Sequence, residues 1–247
     1  QEELSRRFAE HNLTAVPVID SERRMKGIVT VDDIMDVVAE ETTEDIHKYG
    51  GVQALEVPYL EVGFFEMLRK RAPWLAMLFV GEMLTATAMG YFEDEIARAV
   101  VLALFIPLIM SSGGNSGSQA STLVIRAMAL GEVALRDFWR VTRREFATGL
   151  VLGLILGLIG LLRVVVWGAV FDSFGPHFVL LGVTVAASLV GVVLFGVLSG
   201  ALLPFALRLL KLDPASASAP FVATLVDVAG VVLYFTVAAL LLRGTLL

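Results

Sequence analysis

One acidic residue, Asp227, lies within an apolar stretch near the end of the chain. Residues 212–230 begin as a loop of small residues and continue as a predicted helix of aliphatic side chains. Asp227 lies about 10 Å along that helix from Pro220, which is deep for a side chain too short to reach the helix end. A carboxylate at membrane depth usually marks an ion or substrate pathway. Asp227 is therefore the main candidate for cation binding, and the alternative is an acid that caps or snorkels at a helix end.

A run of small and polar residues, SSGGNSGSQ at positions 111–119, follows Pro107 in another apolar stretch. Such a run is not expected to face lipid as a plain helix, because unpaired backbone at that depth needs protein or water around it. We therefore predict an interruption of the span whose carbonyls, hydroxyls and amides face an aqueous path. The alternative is close helix packing through small residues. We also interpret the glycines of two later spans as helix-packing residues: Gly149, Gly153, Gly157, Gly160, Gly191, Gly196 and Gly200.

Acidic side chains are concentrated near the start of the chain, between residues 32 and 45. Spacings of three and four residues group them on two successive parts of a predicted helix: Asp33, Asp36 and Glu40, then Glu41, Glu44 and Asp45. Like charges at this spacing repel each other. Two interpretations stay open. The acids form a solvated helix face, or they form hard-oxygen sites that approach one another only when a divalent cation neutralises them.

The composition divides the chain into two parts. A hydrophobic content of 57% exceeds what a soluble domain of this length needs, yet the first 70 residues are charged and mixed. That first part has the helix–strand–turn–strand–helix order of an α/β unit. The absence of cysteine excludes disulfides and cysteine-based metal or redox sites. The chain opens in mid-pattern without a signal peptide, so we expect it to be part of a longer protein.

Five spans are predicted, at residues 73–92, 96–126, 146–171, 178–203 and 221–242. An amphipathic helix at residues 58–71, ending in Arg69, Lys70 and Arg71, is predicted to precede them. Basic residues lie before the first span, between the second and third, and between the fourth and fifth, which places them all on one side of the membrane. The loops on the other side, at 93–95 and 172–177, are acidic or nearly uncharged. This asymmetry predicts a cytoplasmic N-terminus and an outside C-terminus. The sequence does not decide whether Glu82, in the first span, faces a polar cavity or pairs with a basic residue.

Three segments, in this order, resemble the MgtE family of magnesium channels: VDDIMDVV…EETTEDIHK, SSGGNSGSQASTLVIRA and DPASASAPFVATLVDVAG. AVPVID followed by GIVTVDDIMDVV also resembles the second half of a CBS domain. The resemblance implies a mainly α-helical membrane protein, a homodimer with five transmembrane helices per subunit, preceded by a partial α/β CBS unit and an amphipathic connecting helix. It divides the chain into a truncated CBS sensor (1–49), a hinge and plug helix (50–72) and an ion-conducting domain (73–247).

The resemblance also implies the site residues. Asp227 meets its dimer mate on the pore axis as the selectivity acid, near the backbone of Ala223, although Ala219 lacks the side-chain oxygen that related sequences can have there. The implied pore-lining residues are Gly113, Gly114, Asn115, Gly117, Gln119, Ala219, Pro220 and Thr224. The implied cytosolic Mg²⁺ sites are Asp33, Asp36, Glu41, Glu44, Asp45 and Glu2.

The implied function is Mg²⁺ influx down its electrochemical gradient through a channel of the bacterial inner membrane, gated by cytosolic Mg²⁺. The implied partners are a second copy of the chain, membrane lipid, divalent cations and a nucleotide at the complete CBS domain, and no nucleic acid. One alternative is a secondary transporter of Mn²⁺ or Co²⁺, because broken helices also occur in that class. An intramembrane aspartyl protease would need a second acid at matching depth, and only Glu82 offers one without any protease motif. We therefore expect no enzymatic activity. A scaffold or sensor leaves Asp227 unexplained.

Overall fold

The computed structural model describes residues 1–171 and 174–245 of the chain. It divides into two compact units. The first comprises Gln1–Lys48 and Val52–Lys70, and the second comprises Tyr49–Gly51 and Arg71–Leu247. Residues 172 and 173 of the predicted uncharged loop lie outside the described part of the chain.

The first unit is built from helix α1 (Glu2–His11), strands β1 (Ala15–Ile19) and β2 (Met25–Thr30) and helix α2 (Val31–Tyr49). The two strands form an antiparallel hairpin with a bulge between Val18 and Ile19. This order confirms the predicted helix–strand–turn–strand–helix unit. Helix α2 includes all of the acidic run and continues to Tyr49, because no helix breaker occurs before the glycines at 50 and 51. Gly51 has a φ of 72°, a conformation in which glycine pays no steric penalty.

The second unit contains most of α3 (Phe64–Tyr91), together with α4 (Glu93–Arg98), α5 (Ile106–Ala129), α6 (Phe138–Phe171), α7 (Phe178–Leu209) and α8 (Ala219–Leu242). Three 3₁₀ turns, at Val100–Phe105, Leu135–Asp137 and Pro214–Ser216, precede α5, α6 and α8. By length and composition, the described residues contain five segments able to cross a membrane: Phe64–Tyr91, Val100–Ala129, Leu135–Phe171, Phe178–Leu209 and Ala219–Leu242. The predicted number of spans is confirmed.

The connecting helix differs from its predicted form. Residues 58–63 form turns, in which the Glu61 N–H donates to the Pro58 carbonyl at 2.8 Å. Helix α3 begins at Phe64 and continues through the basic residues at 69–71 into the first span. Pro58 and Gly63 interrupt the chain before the helix, whereas helix formers follow Gly63 up to the span. The basic amphipathic segment is therefore the beginning of α3 and not a separate helix.

The predicted interruption of the second span is wrong. The SSGGNSGSQ run lies wholly inside the regular helix α5, so its backbone groups are paired within the helix. The change in geometry comes earlier, at the 3₁₀ turn Val100–Phe105. Pro107 occupies the first turn of α5, where its missing N–H leaves no helical hydrogen bond unmade. The glycines need not break the helix here, because neighbouring helices pack against them.

Glycines join α6 to α7. Four of them, spaced by three and four residues on one face of α6, are buried. A Cβ added to Gly153 would lie 2.9 Å from the Cα of Val190, and one added to Gly157 would lie 2.9 Å from the carbonyl oxygen of Ala186. The predicted packing face is confirmed on α6. On α7, Gly191 faces open space.

Candidate ion pathway

The glycines of α5 are packing residues. A Cβ on Gly113 would lie 2.6 Å from Val192 Cγ1, and a Cβ on Gly117 would lie 2.8 Å from the carbonyl oxygen of Gly196. In the other direction, side chains on Gly196 and Gly200 would collide with the carbonyl groups of Gly113 and Gly117. Close backbone approach through small residues is a common way to join membrane helices. The structure thus places Gly113 and Gly117 inside the subunit, where they let α5 contact α7.

The opposite face of α5 is exposed and polar. Ser111, Asn115, Gln119 and Thr122 are exposed at helical spacings of three and four residues. The Asn115 Nδ2 donates to Ser111 Oγ at 3.3 Å, within the same face. Polar side chains on the outer face of a helix that is otherwise apolar are expensive to place against lipid. This face, defined by these four residues, is called the polar stripe below.

The segment before α8 is held against α5 by hydroxyl groups. Ser121 Oγ donates to the carbonyl of Ala217 at 2.9 Å, and Ser118 Oγ donates to that of Ala219 at 3.4 Å. Ser218 is the N-cap of α8 and accepts from the Phe221 N–H at 3.3 Å. A serine oxygen at this position satisfies a helix N–H that would otherwise lack a partner. These bonds fix where α8 begins relative to α5.

Asp227 lies two turns into α8, one turn beyond Ala223, and is partly buried. Gly114 of α5 is next to Ala223, since a Cβ on this glycine would be 3.5 Å from the Ala223 Cβ. The structure thus brings together Gly114, Ala223 and Asp227 along the contact between α5 and α8. Pro220 lies in the first turn of α8, and Thr224 faces a different helix, α3.

Helix α3 brings a second acid to Asp227. The carboxyl of Glu82 lies near that of Asp227. The approach is possible because Gly81 lacks a side chain, and a Cβ there would lie 2.7 Å from Thr224 Cγ2. One turn further along α3, the Thr85 hydroxyl is buried without a hydrogen-bond partner. The polar groups of α3 therefore face α8.

Sequence reasoning left the role of Glu82 open and considered it as a second acid beside Asp227 only under the protease alternative. The available signal was that Glu82 and Asp227 are both mid-span carboxylates. Two carboxyl groups near each other can both supply oxygen ligands to a cation.

The acids of α2 are arranged differently. The Asp33 carboxylate accepts from both the N–H and the hydroxyl of Thr30 at 2.8 Å, which caps the start of α2. These bonds, the backbone one first, hold the pKa of Asp33 below its ordinary value of 3.8. Glu44 forms an ion pair with Lys48, one turn further on. Asp36 is exposed.

Within the described residues, no three histidine or acidic side chains converge as they would around a metal ion. The side chain of Glu2 lies outside the described part. The predicted site residues Asp33, Asp36, Glu41, Glu44 and Asp45 thus form no group of three within the described residues of one chain. Their binding of Mg²⁺ between chains stays a prediction.

The end of α2 contacts the wall of the candidate pathway through Tyr49. The Tyr49 hydroxyl donates to the carbonyl of Ser118 at 2.7 Å and also contacts the Thr122 hydroxyl. Its ring packs against a small cluster that includes Ile125 and Ala217. Sequence reasoning missed this residue, since a tyrosine near a helix end gives no signal of its distant partner.

Comparison with known proteins agrees with this geometry. The family model described as "MgtE: Divalent cation transporter" matches residues 106–237, from α5 into α8, and a CBS domain model matches residues 1–40. The chain is 44% identical over 244 residues to the magnesium transporter MgtE of Thermus thermophilus, covering 99% of this chain and 52% of that protein. It is 34% identical to the magnesium transporter MgtE of Enterococcus faecalis and 33% identical to that of Bacillus subtilis, covering 98% and 96% of this chain and 51% of each relative.

The chain spans about half the length of these curated relatives. The family match covers more than half of the chain and includes the polar stripe and Asp227. The chain belongs to the MgtE family of divalent cation transporters.

Proposed function

We propose that the chain forms the conducting part of a Mg²⁺ channel in which Asp227 binds the permeating cation. The observation that carries this proposal is the position of Asp227 on α8, beside the packed contact with α5 and paired with Glu82. The names of the relatives, each a magnesium transporter, support Mg²⁺ as the ion. They also support transport, not catalysis, as the activity.

The polar stripe of α5 supports assembly of two copies. An amide and several hydroxyls on an exposed helix face would be poorly satisfied by lipid, and a second copy of the chain would cover them or enclose water beside them. A two-fold axis beside α5 and α8 would bring two Asp227 side chains together, because a two-fold interface uses the same surface on both subunits. Asn115 and Gln119 would then line the pathway, with the buried glycines behind them.

The donor set fits a hydrated Mg²⁺ ion. This ion prefers octahedral oxygen ligands and gives up its water reluctantly, so a site commonly supplies one or two carboxylates while water fills the rest. Each chain would offer the Asp227 carboxylate and, one turn before it, the second lone pair of the Ala223 carbonyl. Ala219 has no side-chain oxygen, so only its backbone could contribute. In this proposal Mg²⁺ is cargo and not a resident cofactor.

Glu82 tunes this site in our proposal. Two neighbouring carboxylates in apolar surroundings repel each other, and a divalent cation relieves this repulsion. Because the ion keeps most of its water, binding remains weak enough for it to leave, which conduction requires.

Gating by cytosolic Mg²⁺ is the regulatory part of the proposal. The acids of α2 would approach a second copy when Mg²⁺ neutralises them, and Tyr49 would transmit the position of α2 to α5. This scheme requires a cytoplasmic N-terminus, which the distribution of basic residues supports. Inward flow then needs no other energy source, because a divalent cation gains about 4–5 kcal/mol per 100 mV of inside-negative potential.

The test is Mg²⁺ flux into liposomes that contain the purified chain, comparing wild type, Asp227→Ala and Asp94→Asn. Asp94 lies in α4 and serves as the matched control for loss of one acid. We expect flux in the wild type and the control, and a loss of about a hundredfold or more in Asp227→Ala, equivalent to about 2.7 kcal/mol. Undiminished flux in Asp227→Ala would refute the proposed pathway. Mn²⁺ or Co²⁺ flux that exceeds Mg²⁺ flux would instead favour a transporter of those ions.

A further inference from the structure

The start of α6 carries a cavity that the proposed transport function does not use. This cavity has a volume of about 530 Å³ and is lined by Trp139, Arg140 and Arg143. Its size falls in the range of roughly 300–1,000 Å³ that is typical of small-molecule sites. Arg143 lies one helical turn from both other residues, so two guanidinium groups and one indole ring share one face of the helix.

The positive charge of this cavity is not neutralised locally. Two acids flank these three residues in the sequence. Asp137 accepts a hydrogen bond from the Ala134 N–H at 3.0 Å and lies 3.9 Å from Arg136 Nε, and Glu145 has Arg144 as its charged neighbour. Among residues 1–171 and 174–245, no ion pair joins Arg140 or Arg143 to a carboxylate. Guanidinium groups bind planar and tetrahedral oxyanions through paired N–H donors. The cavity therefore fits an anion with several oxygens, and a phosphate group matches it best.

The indole is oriented by packing, although it stays 69% exposed. The ring of Phe138 lies edge-on to Phe205 of α7 at 5.5 Å and edge-on to Trp139 at 5.2 Å. An exposed tryptophan next to a long apolar helix is typical of the boundary between membrane and water, where its ring lies at the level of lipid headgroups.

The same helix face continues as an exposed apolar surface. Beyond Arg143, the exposed side chains of Phe146, Val151, Leu154 and Leu158 follow along α6. A free phosphate ion would gain nothing from this surface, whereas the acyl chains of a phospholipid would lie along it. Basic pockets beside membrane helices commonly bind acidic lipid headgroups.

We propose that Arg140, Arg143 and Trp139 form a binding site for an anionic phospholipid, with the headgroup phosphate between the two guanidinium groups and the acyl chains along the outer face of α6. Arg143 and Arg140 supply charge and hydrogen bonds, and the Trp139 ring covers the glycerol region. The site is independent of the cation pathway.

The test is native mass spectrometry of the purified chain in detergent with phosphatidylglycerol or phosphatidylcholine. The variants are Arg140→Gln/Arg143→Gln and, as a charge-matched control, Arg98→Gln/Arg163→Gln. We expect wild type and control to retain phosphatidylglycerol at least tenfold more strongly than phosphatidylcholine, and the first variant to lose that preference. Equal loss in both variants, or equal retention of the two lipids by wild type, would overturn the proposal. Displacement of the lipid by inorganic phosphate at equal concentration would assign the site to a soluble anion and also overturn it.

A second measurement remains informative if the double variant fails to fold. In Trp74→Phe/Trp167→Phe, Trp139 is the one remaining tryptophan. Phosphatidylglycerol with brominated acyl chains should quench its fluorescence at several-fold lower concentration than brominated phosphatidylcholine. Equal quenching by the two lipids would contradict a headgroup-selective site.

Discussion

The carboxylates of α2 have their contacts nearby in the sequence, whereas those of the membrane helices have theirs on another helix. On α2 each contact just described is local, because Asp33 accepts from Thr30 and Glu44 pairs with Lys48. Asp227 and Glu82 are far apart in the sequence and meet across two helices. In water a helix can satisfy its acids one at a time, whereas two acids that meet among apolar side chains repel each other until a cation neutralises them.

This contrast shows that the density of acids in the sequence does not indicate where acids converge. The densest acidic run forms no group of three converging ligands within the described residues of one chain. The two isolated mid-span acids do meet. Four experiments test the roles assigned to these two groups of acids and to their contacts.

Glu82→Gln should have the largest effect. The amide keeps the size of the side chain but removes one of the two negative charges that attract the cation. We expect Mg²⁺ flux through liposomes to fall by about tenfold, equivalent to about 1.4 kcal/mol. Glu66→Gln, an exposed acid near the start of the same helix, is the control and should leave flux unchanged. Equal flux in both variants would make Glu82 a bystander.

Neutralising the acids of α2 should alter regulation and leave the conducting site intact. With Asp33, Asp36, Glu41 and Glu44 changed to their amides in the full-length protein, flux should persist at high cytosolic Mg²⁺, several-fold above wild type. The reason is that Mg²⁺ can no longer bridge the acidic faces once its carboxylate ligands are gone. Unchanged closure at high Mg²⁺ would contradict the sensor role, and lost flux at low Mg²⁺ would show damage to the pathway itself.

Tyr49→Phe tests the contact between the end of α2 and α5. The ring and its packing remain, but the hydrogen bond to the Ser118 carbonyl is lost. We expect the free energy of unfolding to fall by about 1 kcal/mol, the usual net contribution of one intramolecular hydrogen bond. Thermal unfolding in detergent measures it, with the exposed Tyr91→Phe as control. If both variants unfold at the same temperature, the Tyr49 hydroxyl contributes nothing to stability.

Asp33→Asn should have the smallest effect, and that effect should depend on pH. The pKa of Asp33 is lowered in the folded chain, so its charge adds stability above the ordinary value of 3.8, and this contribution is lost as the pH falls through the lowered pKa of the folded chain. The variant should therefore be less stable than wild type at pH 6, and the difference should be smaller at pH 3. Circular dichroism melts at the two pH values test this, with the neighbouring exposed Asp32→Asn as control. A difference that persists unchanged at pH 3 would contradict the capping role.

The sequence predicted the features that depend on local chemistry. The five spans follow from length and apolar composition, and the α/β unit follows from alternating apolar residues and turn signals. The family follows from two specific segments that carry the polar stripe and Asp227. The prediction failed at SSGGNSGSQ, because glycines in a membrane helix are compatible with both a break and a close contact. The structure shows the close contact, because Gly196 and Gly200 of α7 pack against the backbone of Gly113 and Gly117.

Residue types and spacing were enough to predict that a carboxylate lies at membrane depth, that small residues surround it and that the chain is a multi-span membrane protein. These properties depend on residue type and spacing along one helix. The packing of the helices was needed to place Glu82 near Asp227 and Tyr49 against α5. It was also needed to show that Asn115 is exposed whereas Gly113 is buried. Each of these depends on which face of one helix packs against another, and the periodicity of a single helix does not contain that information.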